Sequence, residues 1–79
     1  MTVRRIGDLA KIIKQTRKSK GLTQQRLAEL TGTGRRFIVE LESGRKETLE
    51  VGIVLRVLVR LGLNLEVAEK AKSRDGSLA

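Results

Sequence analysis

The sequence predicts a mainly α domain of four to five short helices that ends in one short β-strand. Apolar residues recur at helical spacing in successive segments, and four glycines stand between those segments. Only residues 63–67 change to the alternating apolar and polar pattern of a strand. A chain of 79 residues forms one domain. We expect that domain over residues 1–68, followed by a flexible basic tail over residues 69–79, where apolar anchors are few.

The first two helices are predicted from amphipathic patterns and capping residues. Residues 7–20 place apolar side chains on one face and lysines around the rest of the helix. Gly21 follows, as is usual at a helix C-terminus. The second helix is expected over residues 24–31, because the hydroxyl of Thr23 is a favourable N-cap and Ala28 lies at an inward position.

The third and fourth helices follow from the same periodicity. Helix three is expected over about residues 34–42, with Ile38 and Leu41 facing inward. Helix four is expected from an N-cap at Thr48 to about Leu61, where a glycine closes it.

Helix four and the strand carry more apolar surface than a monomer of this size can cover. Only Arg56 and Arg60 interrupt the apolar circumference of the helix, and a lone strand is not stable. Pairing of two copies solves both problems, since the strands can then form an antiparallel ladder. The alternative is a monomer whose strand pairs with residues 2–6. The expected homodimer interface consists of Val54, Leu58, Leu61, Leu63, Leu65 and Val67.

The composition excludes several kinds of chemistry. The chain contains no Cys and no His, so thiol nucleophiles, imidazole bases, disulfides and zinc sites cannot be built. Its acidic residues are scattered along the chain. We therefore expect a protein that is not an enzyme, with no catalytic residue, metal or cofactor. No signal peptide or membrane-spanning segment is visible, which favours a cytoplasmic protein without a membrane partner.

The net charge of +8 is unevenly distributed. Residues 1–20 carry a net charge of +6 and residues 35–46 one of +2, whereas residues 47–68 carry −1. A basic surface of this kind favours an anionic partner. The pattern therefore predicts nucleic acid on the first part of the domain and a second subunit on the last part.

Residues 24–41 have the outline of a helix-turn-helix, in which two helices cross at a short turn. Ala28 is small where the second helix crosses, Gly32 suits a turn residue with positive φ, and Ile38 fills the wedge between the helices. The run GLTQQRLAELTGTGRRFIVELESGR resembles the Xre-type helix-turn-helix of phage repressors and Cro proteins. The resemblance implies a lambda-repressor-like fold.

The end of the chain resembles one branch of this family. The run VLRVLVRLGLNLEV is similar to HipB-type antitoxins, whose chain ends in a strand that completes the dimer. Such antitoxins bind operator DNA as dimers and also bind a HipA-type serine/threonine kinase toxin. The resemblance implies a nucleoid-associated repressor with double-stranded, palindromic operator DNA and a HipA-like kinase as partners.

The resemblance places helix three in the major groove with its N-terminal residues on base edges. Arg35 and Arg36 can each present a fork to guanine, unless they are only solvated surface charges. Glu40 can accept from a cytosine amino group or pair with Arg36 at i,i+4. The expected base contacts are Gly34, Arg35, Arg36, Val39 and Glu40. The expected phosphate contacts are Gln24, Arg26, Thr33, Arg45 and Lys46, each of which can also be plain surface.

Three other residues are assigned to the structure of the domain rather than to the DNA. The resemblance implies an internal salt bridge between Arg17 and Glu42, although Arg17 can also reach a phosphate. Phe37 is expected to pack against the helix-four side of the core, the alternative being a stack on a base or sugar.

Two alternatives to the antitoxin remain. One is a stand-alone phage or plasmid repressor without a toxin partner. The other is a basic protein that binds RNA or membranes without sequence preference. Phe37 is the only aromatic residue in the chain, so neither an interfacial anchor nor a stacking platform is available for that second alternative.

Overall fold

A computed structural model describes residues 2–69, and within that range its regular elements are four helices. The helices are α1 (Ile6–Ser19), α2 (Gln24–Thr31), α3 (Arg35–Ser43) and α4 (Val51–Arg60). The mainly α prediction is confirmed, and each of the first three helices begins within one residue of its predicted start. The predicted tail lies outside the described residues, except for Glu69.

The observed helix ends confirm two of the predicted capping residues and contradict a third. The Thr23 hydroxyl accepts from the backbone N–H of Arg26 at 3.0 Å, as expected for the N-cap of α2. Gly32 follows α2 with φ +69°, in the left-handed region that glycine adopts without strain. The predicted cap at Thr48 is wrong, because α4 begins only at Val51. The connection before it is irregular, and its Leu49 packs against the core.

The core lies where the four helices meet, and it contains the residues predicted to face inward from α2 and α3. Ala28 is 1% exposed, while Ile38 and Leu41 are 0% exposed. The helix-turn-helix pair therefore packs as its small and branched residues predict. The buried cluster consists of Ile13, Leu27, Ala28, Ile38, Leu41, Val54, Val57, Leu58 and Leu61.

This core changes the expected interface on α4. Val54, Leu58 and Leu61 were predicted to contact a second subunit, but each is buried in the core of its own chain. The reason is that α4 packs on α2 and covers the core with one face. The apolar surface that stays exposed on α4 is the stripe of Val51, Leu55 and Val59, at 66%, 38% and 73% exposure.

The residues after α4 form no strand within the described part of the single chain. No backbone hydrogen bond joins residues 2–6 to residues 63–67 there, so the pairing that a monomeric strand would need is not present. Instead, Thr2 and Val3 line an open groove of about 730 Å³ together with residues 63–68. Leu9, Ile12 and Leu58 complete its lining.

The helices of the described residues are also short. The longest, α1, has 14 residues. Over residues 2–69, none is both long enough and apolar enough to cross a membrane.

Candidate nucleic-acid interface

The turn between α2 and α3 is held by backbone and side-chain hydrogen bonds. The N–H of Thr33 donates to the carbonyl of Ala28 at 2.9 Å, and the hydroxyl of Thr31 donates to the carbonyl of Leu27 at 2.8 Å. Arg56 of α4 donates through Nη1 to the carbonyl of Thr31 at 3.3 Å. Arg56 thereby satisfies a carbonyl at the end of α2, a role that sequence analysis missed because the two residues are 25 positions apart.

One face of α3 is buried and the opposite face is presented to solvent. The buried side contains Ile38 and Leu41. Gly34 stands at the N-cap in an extended conformation (φ −83°, ψ 154°) and is exposed, as are Arg35 and Arg36. The first three residues predicted to contact bases therefore lie at the solvent-exposed N-terminal end of α3. Val39 is 38% exposed on the same helix, whereas Glu40 is half-buried.

Glu40 engages both of its carboxylate oxygens. Arg36 donates from Nε to Oε1 at 3.1 Å, and Lys46 donates from Nζ to Oε2 at 2.9 Å. The hydrogen bonds from Lys46 and Arg36 lower the pKa of Glu40 below its ordinary value of 4.5. Of the two roles considered for Glu40, the pair with Arg36 is therefore present in the free protein, and Lys46 is an additional partner.

The predicted phosphate contacts differ in how free their side chains are. Arg45 is exposed, and it forms no ion pair within the described residues. Arg26 pairs with Glu29 at 3.3 Å on the open surface of α2. Thr33 is half-buried, and its hydroxyl lies 3.1 Å from that of Thr31. Arg45 is therefore the least engaged of these positions.

The predicted salt bridge between Arg17 and Glu42 is present and buried. Arg17 donates from Nε to Oε2 of Glu42 at 2.7 Å and from Nη2 to Oε1 at 3.0 Å. Its third donor, Nη1, bonds the carbonyl of Leu22 at 2.7 Å. Gln24 also donates from Nε2 to Oε1 of Glu42 at 3.2 Å. Since Arg17 is only 7% exposed, this network orients α3 on α1 and the start of α2.

Phe37 is partly buried and packs against the hydrophobic core. This placement agrees with the core position predicted for it.

Further positive charge lies along α1. Exposed lysines occupy three positions of its outer surface and one at its C-terminal end, and none forms an ion pair within the described residues. They are Lys11, Lys14, Lys18 and Lys20.

The two packed helices α2 and α3 are joined by a tight glycine turn, and the start of the second helix is exposed and basic. This is the arrangement of a helix-turn-helix protein. A family model described as a helix-turn-helix domain matches residues 10–72, and the chain therefore belongs to that family. The chain is 38% identical over 68 residues to y4mF, an uncharacterized HTH-type transcriptional regulator of Sinorhizobium fredii. The alignment covers 86% of this chain and 88% of y4mF.

Solved structures show the same fold. A structure described as MDT Protein and a HipB-O4 20mer complex each match with a TM-score of 0.80 and 21% identity. A HipA-HipB-O2-O3 complex matches with a TM-score of 0.75 and 24% identity. Each alignment covers 90% of this chain and 99% of the other. The resemblance of the sequence to Xre-type helix-turn-helix proteins, and to HipB among them, is confirmed.

Proposed function

We propose that this protein is a sequence-specific DNA-binding repressor that acts as a homodimer and serves as the antitoxin of a HipA-like kinase. The observation that carries the proposal is the presentation of α3. Its buried face holds the helix in the domain, while its N-terminal end exposes Arg35 and Arg36 beside an N-cap glycine without a side chain. An α-helix fits the major groove of B-DNA, and arginine forks match the O6 and N7 acceptors of guanine.

In this proposal the two arginines differ in whether an ion pair holds the side chain. Arg35 forms no ion pair within residues 2–69, so its side chain is not oriented by an acidic neighbour there. Arg36 reaches the DNA from its pair with Glu40, and Val39 supplies an apolar contact such as one to a thymine methyl group. Arg45, just beyond α3, contacts the phosphate backbone and fixes the position of the helix.

We propose that the second subunit covers the exposed stripe of Val51, Leu55 and Val59. That stripe would continue into residues 63–67, which carry Leu63, Leu65 and Val67 and which gain ladder hydrogen bonds only if another strand is added. Two-fold pairing would present two α3 helices to an inverted repeat with half-sites about 34–36 Å apart.

The antitoxin role is the finer part of the proposal. It is supported by the likeness of the fold to HipB in a HipA-HipB-O2-O3 complex and by the sequence similarity at the end of α4. The second candidate is a repressor without a toxin, in keeping with the relative y4mF, which is described as an HTH-type transcriptional regulator.

DNA recognition is tested by titrating the protein against a duplex selected from a random library and against a scrambled duplex of the same length and composition. We expect tighter binding of the selected duplex by at least about a thousandfold at physiological salt. Equal affinities would contradict sequence-specific repression. Affinity purification of the full chain from its host separates the two candidates, since an antitoxin would retain a kinase-like protein and a stand-alone repressor would not.

A further inference from the structure

Glu40 connects a predicted base contact to a predicted phosphate contact. Its carboxylate bonds Arg36, at the N-terminal end of α3, and Lys46, in the connection after α3. We infer that Glu40 determines specificity by orienting Arg36 towards its base and by restraining Lys46, so that it weakens binding to non-cognate DNA more than binding to the operator. The inference rests on the proposed function, since it concerns the same surface.

The geometry leaves the base-reading edge of Arg36 free. Arg36 pairs with Glu40 through Nε, and its side chain is 91% exposed. The two terminal nitrogens of the guanidinium carry the remaining donors, which can still form a fork on guanine. Glu40 is more enclosed, with 25% of its side chain exposed. Glu40 therefore acts as a fixed support, and Arg36 is the side chain that it orients.

Lys46 is held in a different way. Its ammonium group lies 2.9 Å from Oε2 of Glu40, and a phosphate must compete with that carboxylate for it. A carboxylate at this position also repels the DNA backbone when the helix approaches. Arg35 and Arg45 form no ion pair in the described residues, so this restraint falls on Arg36 and Lys46 alone among the four cations of residues 35–46.

The two kinds of DNA respond unequally to this restraint. On a cognate site, Arg36 binds its base in the orientation that Glu40 has already set, and that preorganisation offsets the repulsion. On other sequences, affinity comes almost entirely from neutralised phosphates, and a shielded lysine contributes less. Glu40 is consequently a positioning residue that acts through Arg36 and Lys46 rather than through a contact of its own with a base.

The test removes the negative charge of Glu40 and keeps the shape of its side chain. Glu40→Gln is titrated against the selected duplex and the scrambled duplex at several salt concentrations. We expect scrambled DNA to bind about tenfold more tightly, with a salt slope steeper by about 0.9 for each cation released. Affinity for the selected duplex changes less, so the ratio of the two affinities falls several-fold. Urea denaturation of the variant checks that the domain remains folded.

The matched control is Glu47→Gln, which makes the same change in net charge at an exposed residue that forms no ion pair within residues 2–69. If both variants strengthen binding to both duplexes by the same factor, net charge is the cause and the inference is overturned. An unchanged affinity ratio in Glu40→Gln overturns it as well. If the wild-type protein itself does not discriminate between the duplexes, the proposed function fails, and the inference fails with it.

A second measurement examines Lys46 directly. Lys46→Gln is expected to weaken scrambled-DNA binding more in the Glu40→Gln background than in the wild type, because only the released lysine contacts phosphate fully. Additive effects of the two substitutions would contradict the coupling. A merely structural role of Glu40 would not produce this non-additivity.

Discussion

Arg17 and Glu42 join α1 to the end of α3 through two hydrogen bonds, Nε to Oε2 at 2.7 Å and Nη2 to Oε1 at 3.0 Å. The two side chains are 8% and 2% exposed. A paired contact of this kind fixes orientation as well as distance, because the guanidinium and carboxylate planes must align. The pair therefore fixes the orientation of α3 relative to α1, although neither residue belongs to the exposed surface of α3.

Removing one partner of this pair is expected to be costly. Glu42→Ala leaves the guanidinium of Arg17 buried without its counter-ion, and we expect a loss of about 3–5 kcal/mol in the free energy of unfolding. Arg17→Lys keeps a charge but loses the fork, so its loss is smaller. Urea denaturation measures both. A loss below about 1 kcal/mol for Glu42→Ala would contradict the structural role, and the double variant Arg17→Met/Glu42→Leu is expected to recover most of the stability.

Gly44 is expected to tolerate a side chain less well than Gly62. Both have positive φ, +70° and +75°, so alanine at either position costs about 1–2 kcal/mol in backbone strain. A Cβ at residue 44 would also stand 3.1 Å from the Cα of Gly7 and 3.5 Å from the Cβ of Ala10, whereas one at residue 62 would meet nothing within 4 Å. Thermal or urea unfolding should therefore show a greater loss for Gly44→Ala, and equal losses would show that α1 is not close to the end of α3.

The start of α1 is expected to weaken in acid. Oδ2 of Asp8 accepts from the backbone N–H groups of Arg4 and Arg5 at 2.9 and 3.2 Å, and these bonds lower its pKa below the ordinary 3.8. A depressed folded-state pKa means that the stabilisation is complete above about pH 4–5 and is lost as the pH falls through the folded value. Wild type and Asp8→Asn should differ in urea midpoint at pH 7 and converge as the pH falls through the folded-state pKa of Asp8. A difference that stays constant down to the acid limit of folding would contradict the assignment.

A glutamate is expected to have different effects on the exposed and the buried face of α4. Val59 is 73% exposed, so Val59→Glu should leave the fold of the chain intact and convert the proposed dimer to a monomer. Leu58 is 3% exposed, so Leu58→Glu should unfold the chain. Sedimentation velocity and circular dichroism separate these outcomes. Gln15→Glu, an exposed site on α1, is the control for added charge, and a Val59→Glu protein that stays dimeric would exclude the stripe from the interface.

Arg35 and Arg45 are expected to separate base reading from phosphate binding. Arg35→Ala should reduce discrimination at one base position by about 1–3 kcal/mol. Arg45→Ala should instead weaken all duplexes alike and flatten the salt slope by about 0.9. Titrations of single-base variants of the selected duplex measure both quantities. The same profile for the two variants would contradict this division of roles.

The local features of the domain were predictable because they depend on neighbours in the chain. Thr23 and Gly32 mark the ends of α2 through interactions that span at most five residues, and both were found where the sequence predicts them. Ala28 and Ile38 were recognised as core positions because small and branched residues stand where two helices cross. The exposed end of α3 followed directly from these assignments.

The contacts that cross between elements were harder to predict. Lys46 reaches Glu40 from outside α3, at a separation that matches no helical spacing, and Arg56 reaches the end of α2 from α4. Sequence periodicity also showed that α4 is apolar nearly all round without showing which side meets its own core. Val54, Leu58 and Leu61 were consequently assigned to a partner, and the packing of α4 on α2 places them inside the chain.

The sequence by itself therefore determined the helices, the turn and the family of this protein, since hydrophobic periodicity and glycine conformation act over a few residues. The tertiary structure alone decided which face of α4 remains open. It also decided that both oxygens of Glu40 are occupied and that Gln24 is tied to Glu42. These outcomes depend on how whole helices pack, and the packing angle follows from all the side chains at the crossing together rather than from any local pattern.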